Sequence, residues 1–133
     1  MKKFFYLFAL IASLMITSCT SVGKLEVAVA AASAECPIVL DEATKVVDIK
    51  TEDKNVVYEC VIDEDIAGSD ISVLDNVEIK KLLKKEYKSL FTQDSEAIEF
   101  SKMIKDANYN LIIRFIGSNS GHKFDITIYS YEL

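Results

Sequence analysis

Residues 44–62 read "TKVVDIKTEDKNVVYECVI", and this stretch predicts the first half of a β-sheet. Apolar and polar residues alternate at its start, which is expected to place Val47 and Ile49 on the same side of a strand. A polar turn follows at residues 52–55. The apolar face of the next strand comprises Val56, Tyr58, Cys60 and Ile62. The two runs together predict a β-hairpin.

The chain on either side of this hairpin predicts helices and a second hairpin. One helix, with apolar residues at helical spacing from Leu25 to Cys36, ends at Pro37, which cannot donate its amide. After an acidic connection, the apolar stripe of the next helix comprises Ile79, Leu82, Leu83, Tyr87, Leu90 and Phe91. A shorter helix around Ile98 follows it. Alternation from Leu111 to Ile128, interrupted by a turn, predicts the closing hairpin.

The order α-β-β-α-α-β-β predicts an α+β fold. We expect an antiparallel four-stranded sheet with helices on one face. Residues 24–133 form this single α+β domain, since nothing within them reads as a linker.

The first 18 residues predict a signal peptide. Two lysines precede an apolar run that ends at Thr17, short of the ~20 residues that span a bilayer, which disfavours a transmembrane helix. Ile16-Thr17-Ser18-Cys19 resembles the lipobox of bacterial lipoproteins. The resemblance implies that Cys19 carries a diacylglycerol and an N-acyl chain, and that residues 19–23 form a lipidated tether. The alternative is an ordinary leader with Cys19 incidental.

The residue after the cysteine bears on the membrane that receives the protein. It is Thr20, whereas aspartate there resembles the inner-membrane retention signal of some Gram-negative bacteria. The analogy favours a lipid anchor in the outer membrane, with the domain facing the periplasm.

Charge excludes one class of partner. The chain has a formal net charge of −6, and loss of the two leader lysines makes this about −8. Arg114 is the sole arginine in the sequence, and no basic stripe surrounds it. Such a domain repels nucleic acid, so we expect no nucleic-acid partner.

Two cysteines remain beside Cys19. Cys36 and Cys60 could form a disulfide in an oxidising compartment, which would contribute on the order of 3 kcal/mol in the loop-entropy model. Equally, each could be a small buried apolar residue. The sequence leaves both interpretations open.

The sequence offers no catalytic or metal-binding motif. His122 is the one histidine, and a single histidine beside a polar turn indicates no catalytic set. The loop that begins at Asp63 resembles a calcium loop only in part, because Ala67 and Leu74 stand where ligands are needed. We therefore expect a protein that is not an enzyme, with no cofactor and no metal.

One surface has the composition of a binding face. On the side of the predicted sheet away from the helices lie Ile112, Arg114, Ile116, Tyr129 and Tyr131. Tyrosine and arginine are enriched where proteins bind one another. The alternative is an ordinary solvated face, because tyrosine and β-branched residues also favour strands.

Residues 36–44, "CPIVLDEAT", followed by "NVVY" at 55–58, resemble a set of small exported bacterial domains, largely uncharacterised. This resemblance implies a fold and a compartment and carries over no catalytic residue. The sequence as a whole predicts a non-catalytic, lipid-anchored envelope protein that binds a protein or envelope component in the periplasm. The alternative is an inhibitor of a hydrolase.

Overall fold

The computed structural model describes residues 20–93 and 95–133. The leader and Cys19 lie outside the described residues, so the lipid anchor stays a prediction. The elements, in chain order, are helix α1 Ser21–Ala34, strands β1 Ile38–Val39, β2 Thr44–Glu52 and β3 Asn55–Ile62, helix α2 Glu64–Ala67, a 3-10 helix Ile71–Leu74, helices α3 Val77–Leu90 and α4 Ser95–Asp106, strands β4 Asn110–Gly117 and β5 Lys123–Ile128, and a C-terminal 3-10 helix Ser130–Glu132.

The fold is α+β, as predicted, but the predicted four-stranded antiparallel sheet is wrong. The described residues form a five-stranded sheet in the order β1-β2-β3-β4-β5. Strands β3 and β4 pair in parallel, and the other neighbours pair in an antiparallel way. The helical connection between β3 and β4 explains this, because a long crossover returns the chain to the same end of the sheet.

The additional strand, β1, has only two residues. Ile38 pairs with Val46, and Val39 pairs with Lys45. Alternation over two residues gives no detectable pattern, which is why the sequence does not predict this strand. The predicted element order therefore lacks β1 as well as the short helices around residues 64–74.

A β-bulge in β2 reverses part of the predicted orientation. The register with β3 shifts between Val46 and Asp48. Because the bulge adds one residue to β2, Val46 and Ile49 point into the core while Val47 is partly exposed. The prediction that Val47 and Ile49 share a side is therefore wrong.

Helix α1 begins earlier than the sequence suggests. The side chain of Thr20 accepts a hydrogen bond from the amide of Gly23 at 2.9 Å, which caps the helix at its N-terminus. Residues 21–23 of the predicted tether are therefore helical. Leu25, Ala28, Val29 and Ala32 are the buried residues of α1.

The core lies between the helices and one face of the sheet. The Tyr58 ring of β3 packs edge-on against Phe91 and Phe100, with ring centroids 5.7 Å and 6.5 Å away. Phe115 of β4 packs edge-on against Tyr87 and stacks with Phe124 of β5. These rings fasten α3 and α4 to the sheet through dispersion and area burial.

A buried carboxylate joins two loops at one end of the sheet. The Glu64 side chain accepts hydrogen bonds from the backbone amides of Ile71, Asn119 and Ser120 at 2.8, 2.8 and 2.6 Å. These bonds, the Ser120 amide first, lower the pKa of Glu64 to about 2. Glu64 therefore fixes the loop after β3 to the loop after β4.

Candidate partner-binding surface

The predicted binding face is filled by ion pairs among its own residues. The Arg114 guanidinium donates to both carboxylate oxygens of Asp125, at 2.9 and 3.2 Å, and to Glu52 at 3.4 Å. Lys50 lies 3.5 Å from Glu59 and 3.8 Å from Glu52. These hydrogen bonds raise the pKa of Arg114 above its ordinary value, that with Asp125 most. Arg114 therefore has a structural role within the sheet.

The five residues predicted for this face lie on two different elements. Ile112 and Ile116 are half-buried on β4 beside Arg114. Tyr129 follows β5 and precedes the C-terminal 3-10 helix, which contains Tyr131, and the two rings stack with centroids 5.6 Å apart. Whether either group contacts a partner stays a prediction.

The tyrosine stack belongs to the surface of helix α3. The Lys84 ammonium lies over the Tyr129 ring at 5.4 Å and 2.8 Å from the Glu132 carboxylate. The hydrogen bond from Lys84 lowers the pKa of Glu132. Tyr131 is 78% exposed, so the stack presents a free aromatic surface beside α3.

Helix α3 packs against the sheet but leaves part of its apolar surface uncovered. Leu90 is its buried residue, whereas Leu83 and Tyr87 are only partly covered. Leu82 is 67% exposed and Val77 is 71% exposed, so the prediction that Leu82 belongs to the buried stripe is wrong. An amphipathic helix normally buries its apolar stripe completely, and apolar side chains left uncovered in this way often mark an interface.

An apolar cleft lies at the C-terminal end of α3. It has a volume of about 280 Å³ and lies between α3, α4 and the last residues of the chain. Phe91, Ile98 and Leu133 supply its apolar lining. Its polar lining includes Lys88, Lys102, Lys105 and Glu132. The cleft thus combines an apolar centre with a mainly cationic rim, which suits an amphipathic segment of another protein.

A second groove, of about 250 Å³, lies beside the other half of α3. Its lining comprises Val77, Lys80, Lys81 and Lys84 on one side and residues 125–127 of β5 on the other. Lys84 lines this groove and pairs with Glu132, which lines the apolar cleft. The Lys84–Glu132 ion pair therefore stands between the two concavities.

The acidic loop and the histidine have local structural roles. Asp63 caps α2 by accepting hydrogen bonds from the amides of Asp65 and Ile66. The His122 ring lies 2.8 Å from Asp75, and this hydrogen bond lowers the pKa of Asp75. The described residues contain no group of three or more side chains able to hold a metal ion.

The two cysteines are free thiols in the structure. Cys60 is buried in the core, and burial raises its pKa to about 12. Cys36 is half-buried, and its thiol donates a weak hydrogen bond to the carbonyl of Ala32 at 3.8 Å. The disulfide between them stays a prediction. In the part of the chain that the structure describes, no helix has both the length and the apolar character required to cross a bilayer.

Sequence reasoning missed the two concavities beside α3. One available signal is the spacing of Lys80, Lys84 and Lys88, which places three cations along one line of the helix. Another is Ile98, which lies on α4 and is 52% exposed. Neither signal shows on its own which helix face stays open, because that depends on how α3 docks.

Comparisons with known proteins indicate the fold alone. No family model and no curated protein matches the chain. Its structure is similar to EpsS, the pilotin of the Vibrio vulnificus type 2 secretion system, with a TM-score of 0.59 and 17% identity over 84% of this chain and 94% of that one. It is also similar to AspS, the type II secretion system pilotin of Vibrio cholerae, with a TM-score of 0.55 and 14% identity over 85% and 95% of the two chains.

A third similar structure comes from a Pseudomonas aeruginosa protein described as secreted. Its TM-score is 0.63, and its identity is 8% over 84% of this chain and 91% of that one. Similarity of this kind at such low identity establishes only that the chain has the same fold as the two pilotins and this Pseudomonas protein.

Proposed function

We propose that this chain is a lipid-anchored, non-catalytic envelope protein of the pilotin type, which binds a secretin through the apolar cleft beside α3. Pilotins bind secretin proteins in the envelope. Three observations support the proposal: the resemblance of residues 16–19 to a lipobox, the fold shared with two pilotins, and the cleft itself.

The apolar cleft is the observation on which the proposed binding role depends. Ile98 is exposed at the cleft although it lies on a helix of the core, and Phe91 and Leu133 extend the apolar lining. An apolar side chain of a partner that enters such a cleft removes apolar surface on both proteins from water. Anchors of this kind contribute about 2 kcal/mol or more each to protein–protein affinity.

The proposal is tested by the substitution Ile98→Glu, with Ile66→Glu as its matched control. Both are helical isoleucines, 52% and 56% exposed, but Ile66 lies on α2 and does not line the cleft. The full chain is expressed with a tag in its own organism, and outer-membrane secretins that co-purify are quantified by mass spectrometry. We expect Ile98→Glu to reduce secretin recovery at least tenfold and Ile66→Glu to leave it unchanged.

Two results would contradict this function. One is a tagged wild-type chain that recovers no secretin. The other is equal recovery by the wild type and Ile98→Glu, with both variants folded by circular dichroism. The comparisons give no support to the alternative of a hydrolase inhibitor.

The anchor and its membrane are part of the same proposal. Acylation of Cys19 with two or more chains holds a protein on a bilayer stably, whereas a single chain does not. We place the domain on the periplasmic side of the outer membrane, where a secretin is assembled. Cys19→Ala is expected to move the protein from the membrane fraction to the soluble fraction, and retention in the membrane would contradict the lipid anchor.

A further inference from the structure

Strand β5 forms one edge of the sheet. It pairs with β4 on one side and has no strand on the other side within the described residues. The amide of Gly117 donates to the carbonyl of His122, which sets the alternation of hydrogen-bonded pairs along the hairpin. The backbone groups of Lys123, Asp125 and Thr127 therefore point away from β4. In the described part of the chain these outward groups form no hydrogen bond.

The groove along this edge is cationic, although the protein as a whole is acidic. Lys80, Lys81 and Lys84 line it, and its one carboxylate, Asp125, is paired with Arg114. Lys80 and Lys84 each contact a carboxylate, whereas Lys81 forms no ion pair among the described residues. A chain with a net charge of −6 thus presents a local positive groove beside an open strand edge.

We propose that the outer edge of β5 binds an extended, acidic segment of the partner protein, which adds to the sheet as a sixth strand. This inference rests on the proposed function, because the segment belongs to the protein held by the apolar cleft. Unpaired backbone groups at a strand edge are satisfied by another strand and not by a helix, which favours an extended segment. The lysines favour glutamate or aspartate side chains in that segment.

The geometry defines what such a segment must supply. Strand β5 has six residues, so its edge is about 20 Å long and accommodates five or six residues of an added strand. Backbone hydrogen bonds to Lys123, Asp125 and Thr127 would provide affinity, and contacts of its carboxylates with Lys81 would provide selectivity. The exposed Tyr129–Tyr131 stack follows directly after β5, where it can contact the end of the segment.

The probe is a synthetic ten-residue peptide in which valine alternates with glutamate, and a valine–lysine peptide of equal length is its control. Binding to the full chain, purified in detergent micelles, is measured by fluorescence anisotropy, together with hydrogen exchange of backbone amides. We expect the acidic peptide to bind and to slow exchange at Lys123, Asp125 and Thr127. The basic peptide is expected not to bind.

Two pairs of variants test separately how lysine charge and backbone hydrogen bonds contribute to peptide binding. Lys81→Glu is expected to weaken binding about tenfold, whereas Lys85→Glu, the same change on the same helix but outside the groove, leaves it unchanged. Thr127→Pro removes one outward amide without removing a β4–β5 hydrogen bond, and is expected to weaken binding about tenfold. Thr127→Val keeps that amide and should bind as the wild type does.

The outcomes distinguish this inference from the proposed function. Secretin recovery that depends on Ile98 but no protection of β5 by the acidic peptide would overturn the inference and leave the function standing. Peptide binding at β5 without any secretin recovery would support the edge site and contradict the function. Binding of the full chain to anionic phosphatidylglycerol vesicles through Lys81, with no peptide binding, would overturn the inference in favour of a lipid surface.

Discussion

Replacement of Arg114 by methionine separates the two roles that this residue could have. If Arg114 holds the sheet together, Arg114→Met lowers stability and leaves partner binding intact. If it recognises a partner, the variant keeps its stability and loses binding. Methionine preserves most of the apolar stem, so the change reports on the guanidinium itself.

The expected magnitude follows from the geometry of the ion pairs. The Arg114 side chain is 19% exposed and binds Asp125 through two hydrogen bonds, so this pair contributes about 1 kcal/mol, at the upper end for pairs near the surface. The longer contacts with Glu52 add a few tenths of a kcal/mol. The total loss of about 1.3 kcal/mol corresponds to a fall in Tm of about 5 °C for a domain of this size.

The assay is thermal unfolding followed by circular dichroism at low salt and at 1 M NaCl. Because the Debye length at 1 M NaCl is about 3 Å, we expect the Tm difference between the wild type and Arg114→Met at that salt concentration to be about half of its value at low salt. Lys123→Met is the matched control, because Lys123 lies on the neighbouring strand and forms no ion pair within the described residues. We expect this variant to change the free energy of unfolding by no more than about 0.5 kcal/mol. An Arg114→Met variant that is as stable as the wild type but no longer recovers secretin would show that Arg114 recognises the partner and does not stabilise the sheet.

Three further predictions concern stability and thiol chemistry. Lys54 occupies the hairpin turn with a φ of 62°, so Lys54→Gly is expected to raise the unfolding free energy by about 1 kcal/mol, measured by urea denaturation; a decrease would contradict the turn geometry. The folded-state pKa of Glu64 is lowered to about 2, so the ionised carboxylate contributes stability above about pH 4.5, and this contribution is lost as the pH falls through 2. The Tm difference between the wild type and Glu64→Gln should therefore narrow from pH 6 to pH 2. A difference that stays constant would contradict this role of the carboxylate. Iodoacetamide should alkylate Cys36 slowly in the native protein and Cys60 only after unfolding, because burial raises the pKa of both thiols. If both cysteines are alkylated only after reduction, they form the predicted disulfide.

The sequence predicts which residues of the strands are buried better than it predicts how the strands pair. Tyr58, Cys60, Ile113 and Ile126 lie in the core, in agreement with the alternation of apolar residues. The same alternation fits a parallel or an antiparallel neighbour, so it could not reveal that β3 pairs with β4 in parallel. That pairing follows from the direction of the helical crossover, which is a property of the whole chain.

The candidate surface could not be read from the sequence because it depends on incomplete burial. Leu82 has the helical spacing of a core residue, yet α3 docks so that this side chain faces solvent. Arginine is a residue type typical of binding surfaces, yet Arg114 donates two hydrogen bonds to its cross-strand neighbour Asp125. In both cases the residue type fits the predicted role, but the neighbours of the residue in the folded protein determine whether it is buried or exposed and what it binds.

Site-specific photo-crosslinking in cells tests the binding role of the α3 cleft most directly. A photoreactive phenylalanine analogue is introduced at Ile98 or, as the control, at Ile66, and crosslinked partners are identified by mass spectrometry. We expect an adduct between position 98 and an outer-membrane secretin and no such adduct from position 66. A secretin adduct from position 66 alone, or no secretin adduct from either position, would contradict this binding role.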